Sequence, residues 1–276
     1  PGRAWGEYWS GAYPVNPIHD DPWSDNASGM DPASGRGPCD DGRLKPDICA
    51  PGTNIVSVRS HAAGAGTGWG EFNPPDKNYI HWGGTSKAAA LAAGAAALVR
   101  QYYTDRKGHT PSAALVKATL CNGAFDMVPG QYGTGATQEM SARPNNVEGW
   151  GRIDLENSLV PEMACFDEAP GLKTGETRQH KYLNYPGGYP LHVTLAWSDF
   201  PGALASSTAL VNDLDLTVTD PASVVHKGND PSNTGLADRK NNLEGVDIAS
   251  AAAGVYTVTV SAYNVPNGPQ PYAVVI

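Results

Sequence analysis

One segment of the sequence, residues 83–94, constrains the fold more than any other, because it predicts a long helix built almost wholly from small residues. Two glycines open the segment and allow a sharp backbone turn and a close approach to another surface. The alanine-rich residues 87–100 then predict continuous helix. Ser86 is therefore expected at the start of this helix, next to free backbone N–H groups and the positive end of the helix dipole.

A serine at this position has two interpretations. The start of a helix stabilises an anion, and a carbonyl oxygen becomes an anion when a serine attacks the carbonyl carbon. Thr85 and Ser86 also suit the capping of an ordinary core helix, and helices of that kind are common. The segment alone therefore indicates either a nucleophile or a capped core helix.

A second motif upstream favours the first interpretation. Residues 41–52 read DGRLKPDICAPG, and residues 83–94 read GGTSKAAALAAG. Together they resemble the subtilisin-like serine proteases, or subtilases, which carry a DGRxKPDxxAPG motif followed by a GTSMAxP motif. The resemblance implies that Ser86 is the nucleophile and that Gly84 and Thr85 belong to the active-site turn. It also implies hydrolysis of peptide bonds, in protein or peptide substrates, through an acyl-enzyme on Ser86.

Shorter segments extend the resemblance along the first part of the chain. Residues 34–38 (SGRGP) and 149–152 (GWGR) are similar to segments that precede the DGR motif and close the catalytic domain in subtilases. Thr110-Pro111 predicts a further helix start, because proline suits the first helical position. Asn122-Gly123, a pair that tolerates left-handed backbone, predicts the end of that helix. Residues 1–163 are therefore interpreted as the C-terminal part of an incomplete α/β subtilisin-like catalytic domain.

From about Cys165 onward the sequence changes to β-branched, alternating runs separated by Gly- and Pro-rich turns. Strands without intervening helices predict an antiparallel, all-β sandwich over residues 164–276. Residues 210–216 and 263–266 resemble the C-terminal jelly-roll domain of the oxidatively stable, KP-43-type alkaline proteases, which implies a jelly-roll, P-domain-like β-sandwich. Strands are predicted at residues 55–58, 191–197, 214–219, 255–260 and 272–276.

The chain lacks motifs that the resemblance requires. Serine needs a base, the base needs an orienting carboxylate, and the oxyanion needs donors. Subtilases supply these from a DTG-type motif, an HGT motif and an asparagine, and none of the seven histidines here fits that pattern. His81, close to Ser86 in sequence, is expected to be a core histidine. The catalytic Asp and His and the oxyanion Asn are expected upstream, in the same precursor or a second chain, and this chain alone is expected to be inactive.

Two positions depart from the subtilase motif. Lys87 stands where the family has Met, and Ala90 stands where it has Pro. Lys87 either raises the positive potential beside the nucleophile and favours acidic substrate groups, or its ammonium group is simply solvated. Ala90 relaxes the first turns of the helix and can shift Ser86. These departures keep a second hypothesis open, in which the chain is a non-catalytic pseudoprotease or a partner-binding module.

Acidic and amide residues cluster in the part of the chain that is predicted to form the sandwich. Calcium prefers several hard oxygen ligands. The resemblance to the jelly-roll domains implies at least one structural calcium ion, and the candidate ligands are Asp213, Asp215, Asn242 and Glu244. The alternative is that these aspartate and asparagine residues only form turns.

Charge and composition narrow the range of partners. A formal net charge of −9 argues against binding to nucleic acid, and no apolar run reaches the length of a membrane span. The four cysteines show no metal-type spacing and leave free thiols and disulfides equally open. The family resemblance favours secretion, so an extracellular location is expected.

Overall fold

The computed structural model of the chain describes residues 14–21, 26–73, 76–160 and 162–276. Contacts within the described residues divide them into two compact units. The first unit consists of the described residues of Pro1–Arg36, Lys45–Ala95 and Asp126–Arg152, and the second consists of those of Gly37–Leu44, Ala96–Phe125 and Ile153–Ile276.

These units do not follow the predicted domain boundary between residues 163 and 164, which stays a prediction. Residues Ala96–Phe125 cluster with the strands of the second unit, because the helix within them packs on those strands. The side-chain amide of Asn122, for example, donates to the backbone oxygen of His192 at 2.9 Å. A boundary that is set by tertiary packing in this way leaves no change of composition in the sequence.

The first unit contains a three-stranded antiparallel sheet. Its strands are β1 (Ile55–Val58), β2 (Glu71–Asn73) and β3 (Asp76–Trp82), in the order β1-β3-β2. The register pairs Ile55 with Trp82 and Val56 with His81. The predicted strand at residues 55–58 is therefore present, whereas a larger α/β arrangement for this part of the chain stays a prediction.

Three helices lie among the described residues: α1 (Thr85–Lys107), α2 (Ala113–Asn122) and α3 (Leu155–Ser158). The predicted small-residue helix is confirmed and extends further than residue 100. Helix α2 begins later than expected, because its N-cap is Ser112, whose hydroxyl accepts a hydrogen bond from the Leu115 N–H at 3.0 Å. Helix α2 ends at Asn122, with Gly123 as its C-cap at a φ of −86°, so the predicted end of the helix is confirmed.

The second unit contains two four-stranded antiparallel sheets. One sheet has the order β5-β10-β7-β8 and the other has the order β4-β11-β6-β9. The strands are β4 (Cys165–Leu172), β5 (Thr177–Asn184), β6 (Tyr189–Ala196), β7 (Asp213–Thr219), β8 (Val225–Lys227), β9 (Leu243–Ala251), β10 (Gly254–Asn264) and β11 (Gln270–Val275).

The two sheets share one apolar core. Alternate residues of β7 point inward, namely Leu214, Leu216 and Val218, and they join Val193 and Leu195 from the opposite sheet. Trp197 completes this core and donates its indole N–H to the backbone oxygen of Asn212 at 2.9 Å. The alternation of residue types that predicted these strands therefore matches the alternation of buried and less buried side chains along β7. The β-sandwich is observed, while the jelly-roll connection pattern stays a prediction.

Among the described residues, no helix combines the length and the apolar character that crossing a bilayer requires.

Candidate active site

The predicted nucleophile turn lies against the upstream DGR-containing motif. The N–H of Gly84 donates to the backbone oxygen of Gly52, the last residue of that motif, at 2.7 Å. Gly84 has a φ of +114°, a conformation that glycine adopts readily. The N–H of Lys87 then donates to the Gly84 oxygen at 2.9 Å and starts α1. The two motifs that carry the resemblance therefore meet at the serine turn.

Gly83 shows the close approach expected from the sequence. A Cβ atom at this position would overlap the Trp69 ring, 2.7 Å from its Cζ2 atom, and would lie 3.1 Å from the Gly52 oxygen. A Cβ atom on Gly52 would lie 3.4 Å from the Cβ of Ala88. Close packing therefore requires glycine at position 83, whereas a Cβ on Gly52 would make ordinary contacts.

Ser86 is exposed in the first turn of α1, and no described residue hydrogen-bonds its hydroxyl. The first turn contains no acidic residue, so no carboxylate of that turn offsets the positive end of the helix dipole. The Nζ of Lys87 lies 4.7 Å from the centroid of the Trp82 ring. An accessible hydroxyl at a helix start beside a lysine ammonium group is a favourable place for developing negative charge.

A cavity of about 670 Å³ lies in the first unit next to the start of α1. Thr85, Ala88 and Ala92 line it from the helix, and Gly52 lines it from the DGR-containing motif. Its lining is mostly apolar, so it is suited to hold an apolar side chain or a segment of polypeptide.

The GWGR segment packs against the DGR-containing motif. The Trp150 N–H donates to the Asp47 oxygen, and the Cys49 N–H donates to the Gly151 oxygen at 2.8 Å. Gly149 has a φ of +66°, and a Cβ there would overlap the Pro46 oxygen. Burial raises the pKa of the Cys49 thiol to about 12, and the negative charge of the nearby Glu148 contributes to the same shift. The hydrogen bonds and close packing of the GWGR segment give it a structural role. All four cysteines of the chain are free thiols.

His81 is a core histidine, as expected. It lies in β3 with 5% of its surface exposed, and its ring is 5.3 Å from that of Phe72. No histidine in the described part of the chain hydrogen-bonds the Ser86 hydroxyl. His109 instead contacts Asp167 at 2.7 Å, and His192 contacts the Asp247 carboxylate.

Two of the predicted calcium ligands, Asp213 and Asp215, lie on one face of β7 but are bound by an arginine. The Nη1 atom of Arg239 contacts the Asp215 carboxylate and lies 3.4 Å from Asp213 Oδ1. The guanidinium group is also 3.8 Å from the Tyr263 ring centroid. Burial raises the pKa of Asp213 to about 6, although Arg239 acts in the opposite direction. The guanidinium group thus lies close to both carboxylates and balances part of their negative charge.

The other two predicted ligands have separate partners. Asn242 exchanges hydrogen bonds with the backbone of Trp197, at 2.9 and 3.2 Å. Glu244 is buried, and its Oε2 accepts the Leu216 N–H at 2.8 Å. Burial raises the pKa of Glu244 well above its usual value. In the described ranges no group of three or more His, Cys, Asp or Glu side chains is placed to hold a metal ion, and the calcium ligands stay a prediction.

Sequence reasoning missed three residues around the serine turn. Trp69 packs on Gly83, Trp82 lies under Lys87, and Gly52 accepts the hydrogen bond of the turn. The aromatic residues just before the turn were a signal for Trp82. Trp69 stood in a Gly-rich stretch without a pattern, and nothing in the sequence linked Gly52 to Gly84.

Residues 15–151 match the family model described as the subtilase family, Peptidase_S8. This stretch contains both motifs and the serine turn, so it is subtilase-family sequence. The resemblance of the chain to the subtilisin-like serine proteases is thereby confirmed.

Several relatives of the chain are named as serine proteases. The chain is 34% identical over 270 residues to the serine protease/ABC transporter B family protein tagA of Dictyostelium discoideum, covering 88% of this chain and 15% of that protein. It is 30% identical over 311 residues to tagB of the same organism, covering 91% and 16%. The serine protease AprX of Bacillus subtilis is 38% identical over 114 residues, covering 40% and 24%. The chain thus spans less than a quarter of the length of each of these relatives.

Among solved structures, the complex of the Aeromonas sobria serine protease with its chaperone matches at 13% identity and a TM-score of 0.29, covering 81% of this chain and 51% of that one. A TM-score of this size does not establish a shared overall fold.

Proposed function

We propose that this chain supplies the nucleophile of a subtilisin-type serine endopeptidase, which hydrolyses peptide bonds through an acyl-enzyme on Ser86. The observation that carries the proposal is the hydrogen bond from Gly84 to Gly52. It joins the two family motifs at the turn where the Ser86 hydroxyl is exposed. The family match over residues 15–151 supports the same reaction class.

In this reaction the Ser86 oxygen attacks the carbonyl carbon of the scissile bond, and its proton passes to a histidine base. The carbonyl oxygen gains negative charge at the start of α1, where the Ser86 N–H and the helix dipole stabilise it. The leaving amine takes the proton, and water then releases the acyl group from Ser86.

The base, its orienting Asp and the oxyanion Asn belong, in this proposal, to a catalytic portion upstream of residue 1, in the same precursor or in a second chain. Residues on the first half of α1 support this part, because Ala89, Ala90 and Leu91 are exposed on a helix rich in small residues. Such a helix suits close packing against a further layer of polypeptide. The chain alone is accordingly proposed to be inactive.

Labelling with a fluorophosphonate tests this proposal, because the reagent reacts with activated serines. In the full-length protein we expect label on Ser86, none in Ser86→Ala, and normal label in Ser57→Ala, a matched change at an exposed serine of the same unit. The 276-residue chain alone should not be labelled. Full-length protein that folds but neither takes the label nor cleaves a peptide ester would favour the pseudoprotease or partner-binding alternative.

Two further properties are proposed from the family resemblance. A structural calcium ion in the sandwich predicts a lower melting temperature in EDTA, and an unchanged melting temperature by calorimetry would remove that proposal. Secretion predicts that the protein accumulates outside the cell. Fractionation that finds it only inside would overturn this second property.

A further inference from the structure

Lys87, the residue after Ser86, keeps a positive charge that no described carboxylate neutralises. Two other cations of the same unit do have such partners: Lys45 pairs with Asp47 at 2.7 Å, and Arg59 lies 3.7 Å from Glu71. Lys87 instead places its Nζ 4.7 Å from the centroid of the Trp82 ring. The side chain is therefore held by a cation–π contact while its charge remains available.

The Trp82 ring packs against the loop before it. A Cβ on Gly68 would lie 3.0 Å from Cε3 of the ring, and a Cβ on Gly66 would lie 3.7 Å from Cη2. The indole is nonetheless 39% exposed. A partly open aromatic surface thus holds the Lys87 ammonium group, and less side-chain freedom is lost when that group binds a ligand.

The surroundings strengthen this positive charge. The first turn of α1 has no acidic residue, and the helix dipole adds positive potential at the same end. The chain as a whole has a formal net charge of −9, so the positive charge at the start of α1 is opposite in sign to the overall charge of the protein. A carboxylate is the ligand that complements this positive charge.

We propose that Lys87, positioned by Trp82, is a specificity-determining residue that favours substrates with an Asp or Glu side chain next to the scissile bond. The inference rests on the proposed function of Ser86. Lys87 directly follows the nucleophile in sequence, and its ammonium group lies over the ring of Trp82, the residue just before the serine turn. The substrate residues that adjoin the bond under attack are therefore the ones whose charge the proposal concerns. The interaction acts on substrate binding and takes no part in proton transfer.

The test uses the full-length protein and pairs of fluorogenic peptides that differ only in Glu or Gln, at each of the two positions on either side of the scissile bond. The wild type should cleave the Glu peptide with a kcat/KM about three- to fivefold higher at one or more positions, in line with partly exposed ion pairs. High salt should reduce this ratio. Lys87→Met should bring it close to one, and Lys87→Arg should retain it.

Lys107→Met is the matched control, because Lys107 lies at the other end of α1 and its Nζ is 5.9 Å from the Tyr102 ring centroid. This variant should keep the wild-type ratio. Denaturant midpoints measured in parallel show whether each variant is folded. Lys87→Glu gives a second readout, because this variant should prefer basic peptides. Wild-type cleavage without a Glu preference, or a preference that survives in Lys87→Met, overturns the inference and leaves the role of Ser86 intact. No cleavage by the wild type overturns the proposed function and this inference with it.

Discussion

The indole of Trp69 lies so close to Gly83 that no side chain fits between them. A Cβ atom on Gly83 would be 2.7 Å from the ring Cζ2 and 3.1 Å from the Gly52 oxygen. The same Gly52 oxygen accepts the N–H of Gly84, which begins the turn into Ser86. The turn that leads into the candidate nucleophile is therefore packed so closely that a side chain on Gly83 would overlap the Trp69 ring.

Gly83→Ala should destabilise the chain by about 1–3 kcal/mol, because the added methyl group forces Trp69 or the turn aside. Urea unfolding measures this change. Trp69→Ala removes the obstructing ring, so Gly83→Ala should cost less in that background, and a double-mutant cycle gives the difference. Equal costs in both backgrounds would show that the ring does not set the requirement for glycine.

Gly94→Ala should change the stability of the chain in the opposite direction. Gly94 lies inside α1, and nothing is within 4 Å of a Cβ built on it. Alanine should therefore stabilise the 276-residue chain by about 0.5–1 kcal/mol through helix propensity. Gly123→Ala is the matched comparison and should be destabilising, because its Cβ would lie 2.5 Å from the Ser158 backbone. If the proposed catalytic portion covers α1, the stability gained by Gly94→Ala should disappear in the full-length protein.

Local patterns in the sequence were enough to predict several elements. Residues 55–58 and 214–219 form strands, and residues 87–100 are helical, because β-branched residues favour strands and alanine favours helix. Strands β4 and β5 were not predicted. Strand β5 reads TRQHKYLN and buries His180 with only a weak alternation of polarity, so its conformation depends on pairing with β10.

The sequence also predicted only part of the candidate site. The motifs identified Ser86 and its turn because glycine and helix-start chemistry are local properties of the sequence. Arg239 was not identified as the partner of Asp213 and Asp215, since no spacing rule links residues 24 and 26 positions apart. The sequence showed a cluster of oxygen ligands, and only the tertiary structure shows an arginine among them.

Tyr103→Phe should cost about 1 kcal/mol, the usual net value of a buried hydrogen bond. The Tyr103 hydroxyl lies 2.9 Å from Thr119 Oγ1, which itself donates to the Leu115 oxygen at 2.8 Å. Tyr103 is therefore the donor of this pair, and its loss leaves a buried oxygen without that partner. Tyr102→Phe is the control, with an expected cost under about 0.5 kcal/mol, because its 3.4 Å bond to Val160 is near the surface. Thermal unfolding compares the two.

His180 makes the stability of the sandwich depend on pH. The residue is 7% exposed, and its Nε2 lies 3.5 Å from the Tyr272 hydroxyl and 4.0 Å from Glu168 Oε1. Burial lowers the pKa of His180, while Glu168 acts to raise it and Arg178 to lower it. The folded state thus binds a proton less readily than the unfolded state. Stability from this group is complete above the unfolded pKa and falls as the pH drops towards the folded pKa.

His180→Gln removes this titration, so the difference in unfolding free energy between wild type and variant should shrink as the pH falls from about 7.5 to about 5. The carboxylates titrate in both proteins and largely cancel in the comparison. His61→Gln, at an exposed histidine, is the matched control for the replacement of a histidine by glutamine. Urea unfolding at several pH values measures both differences. A constant gap for His180→Gln would mean that the buried imidazole takes up its proton equally well in the folded and unfolded chains.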